Sequence, residues 1–148
     1  MTTHTYGSAL RWAGRTDDYD SYSRQHDVTI AGTTATLSAA AAFRGDAALP
    51  NPEQLLVAAA SSCQLLSFLA VAAHAGVAIL EYHDDAEGIM PDDVRPVRLT
   101  TIVLRPVIVA EGATRSEVER LLHKAHRQCY IANSLTATVT LEPEISVR

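Results

Sequence analysis

Two thiols carry most of the chemical potential of this 148-residue chain, Cys63 and Cys129. An accessible thiolate serves as a nucleophile, a metal ligand or a redox group. A buried thiol otherwise behaves as a small hydrophobe. Cys63 lies in the middle of an almost entirely apolar stretch, residues 51–76, where an inert core thiol is the default reading. Mid-helix it gains nothing from the positive end of a helix dipole, and apolar burial raises a thiol pKa. A reactive Cys63 therefore needs a cation brought from elsewhere in the fold. Cys129 follows 66 residues later, at a helix end beside Arg127, with the same two readings open.

Other residues offer further options. His123, His126 and Cys129 are spaced i, i+3, i+6, and both residue types are natural zinc ligands. On an ideal helix the outer two are rotated by roughly 120°, which argues against one ligand set. Glu53 could simply complement the positive end of the helix that begins near it. Arg24 and Arg44 read, each alone, as surface cations.

Several elements must position these groups. Residues 51–76 predict one long helix, with Asn51 as N-cap, Pro52 in the first turn and Gly76 as the stop. It is apolar nearly all round, and about 24 residues could span a bilayer. Ser61, Ser62, Gln64, Ser67 and His74 interrupt it, and no basic loop flanks it. A core helix covered on several sides is the expectation, with no membrane partner. Upstream, residues 5–12 read as a strand, 15–23 as a polar loop, and 28–37 as a hairpin turning at Ala31-Gly32-Thr33. Downstream come a strand at 77–82, an acidic turn-rich excursion at 83–96, and one long strand at 97–109. An amphipathic helix at 114–128 follows, capped from Thr114 or Ser116. A helical turn at 131–134 and one closing strand at 137–147 complete the chain. This order lacks the alternation of a parallel sheet and favours α+β with mainly antiparallel sheets.

With a net charge of −5, a nucleic-acid footprint is not expected. The N-terminus lacks the pattern of a secretory signal, so a cytoplasmic location is expected. Two cysteines in such a chain argue against a disulfide scaffold.

Taken together, separated motifs in order resemble the osmotically inducible protein C / organic hydroperoxide resistance (OsmC/Ohr) family, in its OsmC-like branch. The main motif is Asn51-Pro52-Glu53-Gln54-Leu55-Leu56 with Cys63 ten residues after the glutamate. The second is a helix running into Cys129, followed by Asn133-Ser134. The segments Tyr22-Ser23-Arg24-Gln25-His26, Phe43-Arg44-Gly45-Asp46, Tyr82-His83-Asp84-Asp85-Ala86-Glu87-Gly88 and Leu141-Glu142-Pro143 also match. Gln64 stands where that branch often has histidine, and Tyr130-Ile131 where the peroxidase branch commonly has proline.

The resemblance implies a single α+β domain over residues 1–148, with mainly antiparallel sheets wrapped around a long central apolar helix in an intertwined homodimer. It implies a thiol peroxidase acting on organic hydroperoxides, and on hydrogen peroxide less well, without cofactor or metal. Cys63 would be peroxidatic and Cys129 resolving, the two joining in a disulfide that an external dithiol (a lipoyl protein or another thiol) resets. Arg24, with Arg44 in reserve, would be the active-site arginine, held by Glu53. The rival functions are a non-catalytic small-molecule binder and a metal-binding protein. Helix geometry adds one constraint: on one straight helix Glu53 and Cys63 lie roughly 15 Å and 80° apart. Either the chain before the helix folds back, or a partner chain supplies the glutamate.

Overall fold

Asn51 and Gln54 start the long helix α1 (Pro52–His74) with a reciprocal cap. The Asn51 side chain accepts from the Gln54 N–H at 2.9 Å, and the Gln54 side chain accepts from the Asn51 N–H at 3.0 Å. A cap of this kind stabilises a helix by about 1 kcal/mol. Gly76, at φ 72°, ends it: the Gly76 N–H bonds to Ala73 and the Val77 N–H to Ala72, closing the last carbonyls. The helix is therefore continuous through both Glu53 and Cys63, and the fold-back alternative does not occur.

The computed structural model describes Met1–Arg148, which divide into two compact units, Met1–Leu55 and Leu56–Arg148. The first holds an antiparallel meander of β1 (Ala9–Arg11), β2 (His26–Ile30) and β3 (Thr33–Leu37). Ala31 and Gly32 both take positive φ, as a tight hairpin of this twist requires. The expected first strand shrinks to three residues. After β3 the backbone folds so closely that a Cβ on Gly45 would sit 1.6 Å from the Ala39 carbonyl oxygen. Glycine in the Phe43-Arg44-Gly45-Asp46 motif is thus a packing requirement.

The second unit has two sheets of three strands. One is ordered β4 (Ala78–Asp84), β7 (Pro106–Glu111), β9 (Glu144–Val147), and the other β5 (Glu87–Ile89), β6 (Thr101–Leu104), β8 (Thr138–Leu141). The pairings β4–β7 and β5–β6 are antiparallel, whereas β6–β8 and β7–β9 are parallel. Over the whole chain the pairing is mainly antiparallel, as expected. The expected strand at 97–109 is two strands, broken at Arg105, and the closing strand is broken at Glu142-Pro143. The two breaks let consecutive strands join different sheets. The 83–96 excursion also hides β5, whose Gly88 admits no side chain: a Cβ there would lie 2.7 Å from Val57 on α1.

Helix α2 (Arg115–Gln128) is capped by Thr114, which accepts from the Glu117 N–H, so Ser116 is not the cap. Its Val118, Leu121, Leu122 and Ala125 pack with Phe68, Val71 and Ala72 of α1 and with Ile108 and Ile145 of the first sheet. Ala60 of α1 packs with Ile102 and Leu104 of the other sheet. Full burial of a side chain such as Phe68 contributes about 1.5–3 kcal/mol. Only one side of α1 is covered in this way. Leu55, Ala58, Ser62, Leu66, Leu69 and Ala73 remain exposed at spacings of three and four residues, with Leu66 64% exposed. The sequence-based expectation of cover on several sides is thus not met within one chain. By its length of 23 residues and a mean hydropathy of 2.0 over an 18-residue stretch, α1 passes for a membrane span, but its buried face is docked on protein.

Candidate functional site

The two cysteines meet in the second unit. Cys63 projects from α1 half-buried, and Cys129 is the C-cap of α2, 1% exposed. Both are free thiols, close enough that each influences the ionisation of the other. The chain turns sharply after Cys129 into the 3₁₀ turn Ala132–Ser134, because the Asn133 N–H reaches back to the Cys129 carbonyl. That turn points the Ile131 N–H at Cys63 Sγ, 3.5 Å away.

The electrostatics of the two thiols diverge. Burial raises the Cys63 pKa, but hydrogen bonds from the Ile131 N–H, the Cys129 thiol, the Tyr130 N–H and the Ser67 hydroxyl outweigh it and leave the group below its ordinary value. Burial raises Cys129 above its ordinary value, and its contact with Cys63 adds to that, against an opposing N–H from Ala132. One thiol is prepared to ionise and its neighbour to stay protonated. The donors on Cys63 are backbone amides and neutral side chains; none is a cation. The sequence reasoning missed this source, because the amides come from a turn nearly 70 residues away and carry no side-chain signature.

Arg24 and Glu53 line a cavity of about 580 Å³ in the first unit, together with Trp12, Tyr22, His26 and Phe43. The Arg24 guanidinium donates to the carbonyls of Tyr22 and Tyr19, both at 2.6 Å, and stacks 3.7 Å from the Tyr22 ring centroid. It makes no ion pair with Glu53; the expected bidentate pair is absent from this structure. Arg44 pairs instead with Asp20 at 2.9 Å and is not among the cavity-lining residues.

His123, His126 and Cys129 form no metal-ligand group. The His126 ring faces inward and touches Gln64 and Val139 through its two nitrogens. The acidic residues of the 82–88 motif serve another purpose. Asp84 accepts from the Ser61 hydroxyl at 2.5 Å and from the Arg105 N–H at 2.6 Å, while the Arg105 side chain bridges Glu87 and Glu142. Arg105, which the sequence reasoning did not single out, thereby links two of the matching motifs.

A protein-family model described as OsmC-like protein matches residues 45–144, well over half of the chain. The chain belongs to the OsmC-like family. An OsmC-like protein of unknown function from Vibrio cholerae has the same fold, with a TM-score of 0.85 at 29% identity over 95% of this chain and 99% of that one. An organic hydroperoxide resistance protein from Elizabethkingia anophelis superposes with a TM-score of 0.72 at 18% identity, covering 99% of both chains. The uncharacterized protein YmaD of Bacillus subtilis is 23% identical over 152 residues, 100% of this chain and 97% of its own length. The fold is thus the α+β fold of the OsmC/Ohr proteins.

The opposed thiol environments set an order of reactivity. Iodoacetamide at neutral pH should modify Cys63 well before Cys129, and raising the pH should narrow the gap as Cys129 ionises. Peptide mapping after timed quenching measures both rates. Equal rates at neutral pH, or faster modification of Cys129, would contradict the assignment.

Proposed function

We propose that the protein is a thiol peroxidase that reduces organic hydroperoxides, and hydrogen peroxide less well, with Cys63 as the peroxidatic and Cys129 as the resolving cysteine. One observation carries this: a Cys63 thiol held on the amides of Tyr130 and Ile131, next to the Cys129 thiol. Family membership and the fold shared with an organic hydroperoxide resistance protein support it. The Cys63 thiolate attacks the distal oxygen of ROOH. The O–O bond breaks, the alkoxide leaves as ROH after taking a proton, and Cys63 becomes a sulfenic acid. Cys129 displaces water from it, forming a disulfide. An external dithiol, from a lipoyl protein or another thiol carrier, then reduces that bond and is itself oxidised. A cycle that starts from two free thiols fits the reducing cytoplasm.

Arg24 and Glu53 are assigned to the peroxide-binding side. The aromatic walls of their cavity suit an organic substituent, and Arg24 rather than Arg44 faces that cavity. These two residues would come from the partner protomer. Glu53 and Cys63 lie on one continuous helix, roughly 15 Å apart along its axis, too far for one glutamate to reach across. The open stripe of α1 supports the homodimer this requires: residues at three- and four-residue spacing pack a helix against its two-fold mate.

In peroxide-consumption assays Cys63→Ser should lose all turnover. Cys129→Ser should retain a single turnover and leave a sulfenic acid that dimedone traps. Full activity in the Cys63 variant would end the proposal.

For the dimer, sedimentation velocity should show one species of twice the chain mass. Leu66→Glu, which places a charge in the centre of the stripe, should shift it to monomer and abolish turnover. A wild-type monomer with full peroxidase activity would refute the shared site.

A further inference from the structure

Gln64 is the only fully buried uncharged amide side chain on α1, at 0% exposure, and it directly follows Cys63. A buried amide without partners is costly, so its contacts report what the junction requires. Its Nε2 donates to the Leu122 carbonyl at 3.4 Å, and its Oε1 lies 3.1 Å from His126 Nδ1. His126 Nε2 lies 3.1 Å from the Val139 carbonyl oxygen on β8. The His126 carbonyl in turn accepts from the Cys129 N–H at 3.2 Å. The pair thus joins α1, α2 and β8 at the point where both thiols are held.

We propose that Gln64 and His126 are a positioning pair for Cys63: together they fix the rotation of α1 against α2 that rests Cys63 Sγ on the Tyr130 and Ile131 amides. Neither side chain hydrogen-bonds to a thiol; their partners are Leu122, Val139 and each other. They act by holding the helix turn that carries Cys63 against the end of α2 that carries Cys129.

The donor inventory adds a proton dependence. Both ring nitrogens of His126 face oxygen atoms, yet a neutral imidazole has a single N–H. Turning the Gln64 amide would satisfy both nitrogens but set Oε1 against the Leu122 carbonyl oxygen. In either orientation neutral His126 leaves one acceptor facing another acceptor. The imidazolium removes the conflict by donating to Gln64 and Val139 together. The charged or titratable groups acting on the ring are His123 and Arg127 of α2, whereas its contacts on α1 and β8 are the neutral Gln64 and Val139. Burial first, with His123 and Arg127 nearby, opposes the charge and outweighs the Val139 hydrogen bond that favours it, so His126 lies below its ordinary pKa. Protonation of His126 therefore tightens the junction, while the neutral ring still joins it through its single N–H.

The functional meaning rests on the peroxidase assignment, but the test does not need it. The readout is the pH profile of Cys63 alkylation, resolved by peptide mapping in the full-length protein. Gln64→Leu and His126→Leu should each move the Cys63 profile to higher pH and slow its alkylation at neutral pH by about fivefold, the factor matching the net worth of one hydrogen bond. The double variant should move it no further than either single one. His126→Asn, which keeps a donor for Gln64 Oε1, should stay close to wild type and serves if the leucine variants do not fold. An unchanged profile in folded leucine variants, additive shifts in the double variant, or a fivefold loss in His126→Asn would overturn the proposal. A wild type that alkylates as described yet consumes no hydroperoxide would remove the peroxidase assignment and leave this one standing.

Discussion

The hydrogen bond from the Ile131 amide to Cys63 Sγ is the contact on which the rest depends. A thiol in the middle of an apolar helix has no charge of its own element to lean on. What offsets its burial is a set of donors delivered by the turn that follows α2. That turn is held by the Asn133 N–H on Cys129 and by the Ser134 hydroxyl on the Tyr130 carbonyl. The same segment thus supplies the second thiol and the amides that prepare the first. Backbone amides suit this task because they are fixed before the thiolate forms and need no reorganisation.

The polar residues of α1 acquire one common explanation. Ser61 bonds to Asp84 at the end of β4, Cys63 to the turn after α2, and Gln64 to α2 itself. Three near-consecutive polar side chains in an apolar helix each meet a different element. Apolar packing of Phe68, Val71 and Ala72 provides the affinity of helix for sheet. The polar contacts fix its rotation, since a small turn about the axis would leave each of them unpaired in the interior. The opposite face, with Leu66 and Leu69, makes no such bonds and remains open.

Much of this was legible in the sequence. Asn51, Pro52 and Gly76 bracket α1 because caps act within one turn of chain. Thr114 and Glu117 mark the start of α2 for the same reason, and Ala31-Gly32 the hairpin. The breaks at Arg105 and Glu142-Pro143 were not legible, because β-branched residues on both sides of Pro106 satisfy a strand pattern whichever sheet they join. The pairing of the two thiol positions followed from the family resemblance, whereas the donors on Cys63 could not be read at all. An N–H group belongs to every residue but proline, so only the path of the chain selects Tyr130 and Ile131. Sequence reasoning demanded a cation in their place. Arg24, the candidate, instead lies on Tyr22 in the cavity with Glu53.

The most direct test of the account is a count of free thiols per chain before and after one equivalent of cumene hydroperoxide, with the oxidised product digested and its disulfides mapped. The account predicts the loss of both thiols and a single bond joining Cys63 to Cys129 of the same chain. Two thiols still titratable after the hydroperoxide, or bonds found only between different chains, would contradict it.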